Sequence, residues 1–126
     1  MSSAPRKRLF RRQSKPFCFV VVSPYIAEKL SLVVSVAAIT LWPFVFFRKE
    51  PDALTLRHEK IHIAQQAELL IVGFYAIYVF DWVVGMLRGR TSEQAYEEIR
   101  FEAEAYTHEG DEHYLERRPR FAWARS

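Results

Sequence analysis

Apolar residues in this chain fall into three blocks that polar segments separate. Phe17–Val22 is short, aromatic and β-branched and ends before a Ser-Pro pair, so it predicts a β-strand. Val36–Phe47 has the same character and predicts another strand, with Pro43 marking a sheet edge or a bulge. Between these blocks, Tyr25–Val34 predicts a short helix.

The third apolar block belongs to a long predicted helix, Leu56–Leu87, with Thr55 as its N-cap. Its second half, Leu69–Leu87, is apolar on every side except at Asp81, which indicates a helix that is fully buried or lies in a membrane. A straight helix of this size would be nearly 50 Å long, at about 1.5 Å per residue. A globule formed by this chain is only about 35 Å across. We therefore expect the helix to bend at Gly73 or to project into a bilayer or a partner.

A second helix is predicted from Glu93 to His108, with Ser92 as its cap and Gly110 as its stop. The C-terminal tail, Tyr114–Trp123, mixes arginine with aromatic residues, and we expect it to pack back onto the domain. Together the elements predict a small α+β fold in which two or three strands pack on two helices.

Composition limits the chain to one domain with a modest core. It has 126 residues, and half of them are hydrophobic, which excludes a chain that is disordered throughout. The formal charge is +3, but residues 1–16 hold six Lys or Arg and no acid. We therefore predict a disordered basic arm over 1–16 and a single domain over 17–126.

Partners and compartment are less constrained by the composition. The arm could bind anionic lipid, but no nucleic-acid motif accompanies it, so a nucleic-acid partner is not expected. Phe17–Val22 is too short for the apolar core of a secretory signal, which leaves a cytoplasmic and a membrane-associated location open. Cys18 is the single cysteine, which excludes an internal disulfide and a cysteine-based zinc site.

Candidate chemistry is concentrated at the start of the long helix, where His58-Glu59-Lys60-Ile61-His62 reads H-E-x-x-H. His58 and His62 are four residues apart, so both imidazoles leave the same helix face and can bind one zinc ion. Glu59 points about 100° away from His58, which places its carboxylate beside a metal rather than on it. From there it can accept a proton from a water whose pKa zinc lowers to about 7.

A catalytic zinc needs a third protein ligand, and the second predicted helix offers several carboxylates. Helical periodicity divides this helix into a polar face and an opposite, less polar face. The polar face holds Glu93, Glu97, Arg100 and Glu104, and the other holds Ala95, Ile99, Glu102 and Tyr106. Glu102 is thus the acid in a core-facing position, and it is the predicted third ligand because a buried carboxylate must be paired or metal-bound.

Three alternatives to this ligand assignment remain open in the sequence. Glu102 could instead pair with an arginine such as Arg57. His108 and His113 could serve as ligands, but both lie among acids at or beyond the helix end, where we expect them to be solvated.

The two motifs, H-E-K-I-H-x-x-Q-Q and F-E-A-E-A-Y, resemble those of small gluzincin-like zinc metallopeptidases from bacteria and phages. The resemblance implies a zincin-like domain in which His58, His62 and Glu102 bind Zn²⁺ and Glu59 is the catalytic base. It also implies that the strand around Ala38–Phe44 lines the substrate cleft. Related membrane peptidases usually have Asp after their E-x-x-A motif, where this chain has Tyr106, so the residue that supports a zinc-binding histidine is not identified.

The expected function is that of a zinc-dependent metallopeptidase or peptidase-like hydrolase acting on a peptide or protein. One alternative is a non-enzymatic interaction protein with a structural zinc site. Another is a membrane-associated protein in which Leu69–Leu87 contacts a membrane surface or a partner protein. The oligomeric state does not follow from the sequence.

Overall fold

Four strands form one mixed sheet in the computed structural model, which describes residues 10–13, 16–23, 25 and 38–125. The strand order is β1-β2-β4-β3, with β2 parallel to β4 and the other neighbours antiparallel. The strands are β1 (Phe10–Gln13), β2 (Cys18–Val22), β3 (Ala38–Leu41) and β4 (Phe44–Phe47).

Strand β2 confirms the strand predicted at Phe17–Val22. Strand β1 lies within the segment predicted to be a disordered arm, and pairing with β2 explains why these four residues are ordered. The remaining residues of the arm lie almost entirely outside the described residues, as does the helix predicted at Tyr25–Val34, apart from Tyr25 itself.

The apolar block Val36–Phe47 was predicted as one strand, and this was wrong. Strands β3 and β4 form an antiparallel hairpin, with Trp42 and Pro43 in the turn between them. A proline has a fixed φ and no N–H to donate, which suits a turn as well as a sheet edge.

Helix α1 (Ala53–Leu87) confirms the predicted long helix but differs from it at the start and at the bend. Its N-cap is Asp52, whose side chain accepts a hydrogen bond from the backbone N–H of Thr55 at 2.7 Å. The helix is interrupted at Leu70 (φ 61°, ψ 169°) rather than at Gly73. The second half is not fully buried, because a row of its apolar side chains is exposed.

The predicted second helix is divided into α2 (Ser92–Glu97) and α3 (Arg100–His108). Ile99 interrupts it with an extended backbone, and its fully buried side chain packs in the core. The cap of α2 is Thr91 rather than Ser92, with a reciprocal hydrogen bond between Thr91 and Gln94.

The C-terminal tail packs back as predicted, through α4 (Tyr114–Arg117) and a 3₁₀ turn (Ala122–Arg125). The ring centroids of Trp123 and of Phe101 on α3 are 5.3 Å apart. Apolar side chains fill the space between the sheet and the first half of α1, and again between the second half of α1 and α3. The described residues thus form an α+β domain, as expected, in which α1 packs against the sheet with its first half and against α3 with its second half.

Candidate metal centre

Helices α1 and α3 bring His58, His62 and Glu102 together in the interior. Nε2 of His58 lies 2.9 Å from Oε1 of Glu102, and Nε2 of His62 lies 3.0 Å from both oxygens of that carboxylate. All three side chains are buried, and one ligand atom from each falls within 4.8 Å of the others. This is the group of residues that the sequence proposed as zinc ligands.

The donor set fits zinc. Zinc bonds of about 2.0–2.1 Å in a tetrahedral arrangement separate neighbouring ligand atoms by about 3.3 Å. The nitrogen-to-oxygen distances of 2.9 and 3.0 Å would need only a small expansion to reach that value. Two imidazoles and one carboxylate also form a ligand set typical of catalytic zinc, with a fourth position for water or substrate.

Hydrogen bonds at the outer nitrogens orient both imidazoles. Nδ1 of His58 lies 2.6 Å from Oε2 of Glu109, and Nδ1 of His62 lies 2.7 Å from Oε1 of Gln65. Both partners are acceptors, so a proton on each Nδ1 leaves the Nε2 lone pairs directed towards Glu102, as metal binding requires.

The orientation of the Gln65 amide follows from its other contacts. Its Nε2 donates to the carbonyl of Phe101 at 3.0 Å and to Oε1 of Glu104 at 3.1 Å. Because both of these groups are acceptors, the amide nitrogen faces them and the amide oxygen faces His62.

Sequence reasoning missed both Gln65 and Glu109, although a signal for each was present. Gln65 follows His62 by three residues and therefore lies on the same side of α1. Glu109 follows Glu102 by seven residues, two helical turns, which places the two carboxylates on one side of α3 and its end. Glu109 thus forms the hydrogen bond to His58 for which the sequence offered no residue. The Tyr106 ring instead lies against the His58 ring, with centroids 4.7 Å apart.

Surrounding carboxylates favour positive charge at this site. Burial opposes the charged form of His62, but the Glu102 carboxylate outweighs burial and raises the pKa of His62 to about 9. Burial likewise opposes the charged form of His58, yet Glu102 and Glu109 leave its pKa raised. The two imidazoles in turn hold the pKa of Glu102 well below its usual range despite burial. The negative charge of these carboxylates can be balanced by two protons on the imidazoles or by one divalent metal ion.

Glu59 lies at the margin of the cluster and is not part of it. Its Oε2 accepts a hydrogen bond from the Thr40 hydroxyl at 2.7 Å, which fixes the carboxylate against strand β3. Its charge helps to raise the pKa of His62, and with burial and Glu102 it raises the pKa of Tyr75 to about 12. The carboxylate is therefore near enough to influence His62 but is not one of the three clustered groups, and its role as a base stays a prediction.

Gln66 connects the motif helix to strand β3. Its Oε1 accepts from the backbone N–H of Trp42 at 2.7 Å, and its Nε2 donates to the carbonyl of Thr40 at 2.8 Å. The Tyr75 hydroxyl donates to the same carbonyl at 2.6 Å. Strand β3, whose Thr40 binds the Glu59 side chain, is thus fixed to helix α1, which contains Glu59.

The second oxygen of Glu102 is held from another part of α1. The Tyr78 hydroxyl donates to Oε2 of Glu102 at 3.2 Å. Burial and the neighbouring Glu102 charge raise the pKa of Tyr78, so this hydroxyl keeps its proton and remains a donor. The contact fixes the rotation of the carboxylate without competing for Oε1.

The prediction that Glu104 faces solvent was wrong, because its side chain is 0% exposed. Arg118 donates to it through Nε at 2.6 Å and Nη2 at 3.0 Å, and the Tyr114 hydroxyl donates at 2.9 Å. Arg118 also bonds Glu68 at 2.8 Å. Helix α3 is therefore covered on two sides, by α1 at Glu102 and by the C-terminal tail at Glu104.

The alternative ligands and partners lie elsewhere. Arg57 donates to the carbonyl of Glu109 at 2.6 Å, and Glu102 is bonded by the histidines and Tyr78 instead. His113 is exposed, as expected, whereas His108 is half-buried and stacks on Tyr114 with ring centroids 3.8 Å apart.

Comparisons of the chain with family models, curated proteins and solved structures gave no significant match. The likeness to gluzincins therefore rests on the two sequence motifs alone.

Proposed function

We propose that this chain is a zinc-dependent hydrolase that cleaves a peptide or protein substrate. The observation that carries the proposal is the convergence of both Nε2 atoms on Glu102, with a separate carboxylate, Glu59, held beside them by Thr40. A purely structural site needs the ligands but has no use for such a base.

Each residue has a distinct task in the proposed reaction. Zinc, when bound by His58, His62 and Glu102, supplies the Lewis acidity that polarises a carbonyl and makes water nucleophilic near neutral pH. Glu59 accepts the proton that water loses and passes it to the leaving amine. Thr40 directs the Glu59 carboxylate through its hydroxyl, which leaves Oε1 of Glu59 available for the proton.

Three variants test this assignment, two of them isosteric with the wild-type side chain. Glu59→Gln should retain the wild-type zinc content, because Glu59 is not a ligand, and should lose hydrolysis of a peptide library. Thr40→Val should retain zinc and show a lower kcat, whereas Thr40→Ser, which restores the hydroxyl, should recover it. Undiminished turnover by Glu59→Gln would assign the base to another residue, and absence of zinc in the wild-type protein would remove the proposal.

Burial of the three ligands favours a second candidate function, a closed structural zinc site in an interaction protein. The two candidates differ in the fourth coordination position. Cobalt-substituted protein should change its visible absorption when a small hydroxamate is added if that position is open. An unchanged spectrum, together with a zinc-dependent melting temperature, would favour the structural role.

A further inference from the structure

An unbroken row of apolar side chains runs along the second half of α1. Along the sequence, each side chain of this row follows the previous one by four, three, one, three and four positions in turn. The row therefore falls within a helical arc of about 100°. All are exposed, including Val72 and Leu87, which are both 82% exposed, and Phe80, which is 62% exposed. We call this row the outward face; it consists of Val72, Ala76, Val79, Phe80, Val83 and Leu87.

Opposite the outward face, α1 packs on the rest of the domain. Phe74 stacks on Phe101 of α3, and Gly85 lies so close to α2 that a Cβ there would be 2.9 Å from the Cβ of Ala95. Asp81, the only charged residue of the segment, also points away from the outward face and forms two hydrogen bonds of 2.8 Å with Arg100. The only charge in this half of α1 is thus neutralised on the side facing the domain.

We propose that the outward face lies flat in the surface of an anionic lipid bilayer, with its apolar side chains inserted below the headgroups. A helix with one apolar face and cationic flanks is the usual form of an interfacial membrane helix. Exposed Arg88 follows α1 directly, and so does exposed Arg90, whose Nε forms a solvent-exposed ion pair with Glu98 at 3.1 Å. Six Lys or Arg without any acid occupy residues 1–16. Anionic headgroups complement this charge, and each basic group near the surface strengthens attachment.

The neighbours of α1 favour this in-plane position over a membrane span. By length and composition alone, α1 could cross a bilayer. However, α2 runs beside its last turns and carries exposed Glu93 and Glu97, and the Arg100 side chain at Asp81 is 43% exposed. A span would bring these charges into hydrocarbon, which is costly, whereas a flat helix leaves them in water.

Vesicle flotation of the full chain tests the proposal. The wild-type protein should float with vesicles of phosphatidylcholine and phosphatidylglycerol, and float more weakly with vesicles of phosphatidylcholine alone. High salt should reduce this preference for the anionic vesicles. Phe80→Asp should reduce the bound fraction at least about tenfold. Leu54→Asp is the matched control, because Leu54 is an exposed leucine on the first turn of the same helix and should bind as wild type.

Circular dichroism and thermal melting should show that Phe80→Asp remains folded, since the ring is largely exposed, and Val72→Asp provides an independent second variant. Failure of the wild type to float, or wild-type flotation by both variants, would overturn the proposal. Resistance to alkaline carbonate extraction from cell membranes would replace the in-plane helix by a span. A wild-type dimer in sedimentation that Phe80→Asp dissociates, without vesicle binding, would assign the face to a second copy.

Discussion

Glu109 and His58 form the shortest hydrogen bond to either motif histidine, at 2.6 Å between Oε2 and Nδ1. The carboxylate lies one residue beyond the end of α3, and the backbone carbonyl of the same residue accepts from Arg57. Glu109 therefore joins the motif helix to the helix of the third ligand through both its side chain and its backbone.

Glu109→Ala should weaken zinc binding about 10- to 100-fold, because the His58 ring loses the acceptor that fixes its orientation. Glu112→Ala, an exposed acid in the same turn, is the matched control and should bind zinc as wild type. Competition with a chromophoric chelator measures both constants. Equal affinities for the two variants would mean that packing alone orients His58.

Zinc affinity should rise with pH up to about pH 9. The Glu102 carboxylate raises the pKa of His62 to about 9 despite burial, so zinc would have to displace a proton from His62 at neutral pH. Each displaced proton makes the apparent affinity increase about tenfold per pH unit below the pKa. Titrations in buffers of different ionisation enthalpy should detect the released protons, and a pH-independent affinity would show that the histidines are already neutral.

Glu104→Gln should lower the free energy of unfolding by at least about 2 kcal/mol, because Arg118 loses a charged partner in the interior. Glu97→Gln, at an exposed site on α2, should remain within about 0.5 kcal/mol of wild type. Chemical denaturation of the metal-free proteins measures both. A similar small change in both variants would show that Glu68 alone satisfies Arg118.

Gly85→Ala should destabilise the protein by about 1 kcal/mol. A Cβ at Gly85 would lie 2.9 Å from the Cβ and 3.2 Å from the Cα of Ala95, and such overpacking costs about 1–3 kcal/mol, partly offset by the better helix propensity of alanine. At Gly73 the nearest atom is the Cβ of Leu69 at 3.5 Å, so Gly73→Ala should stabilise the protein. Comparing the melting temperatures of the two variants separates the cost of the close contact from the gain in helix propensity. A stabilised Gly85→Ala protein would contradict the close approach of α1 and α2.

Helical periodicity in the sequence was sufficient to predict which residues lie together in the candidate metal centre. The positions of His58 and His62 depend only on one helical turn, and Glu102 was identified as the acid on the less polar side of the next helix. Glu104 was misplaced because the periodicity argument assumed that only one side of α3 is covered. The tail was expected to pack back, but the sequence did not indicate that Arg118 would reach Glu104.

The remaining errors concern where the backbone changes direction. Pro43 was interpreted as marking a sheet edge or a bulge, and only strand pairing shows that it belongs to the turn of a hairpin. The bend of α1 was expected at Gly73, yet it occurs at Leu70, three residues earlier, where the residue itself is neither glycine nor proline. Ile99 ends a predicted helix because its side chain fills the core between α1 and α3, which is a tertiary effect.

The two hydrogen bonds of Gln66 have a consequence for how any extended chain could dock here. Its amide group supplies one acceptor and one donor to β3, as the peptide group of a neighbouring strand would. The Thr40 carbonyl and the Trp42 N–H are therefore already engaged on the open side of this outermost strand, where Tyr75 adds a second donor. Sheet extension through these two groups is blocked, which protects this edge of the sheet against edge-to-edge association. Under the proposed function, a peptide substrate would therefore be held near Glu59 by side-chain contacts or by other backbone groups.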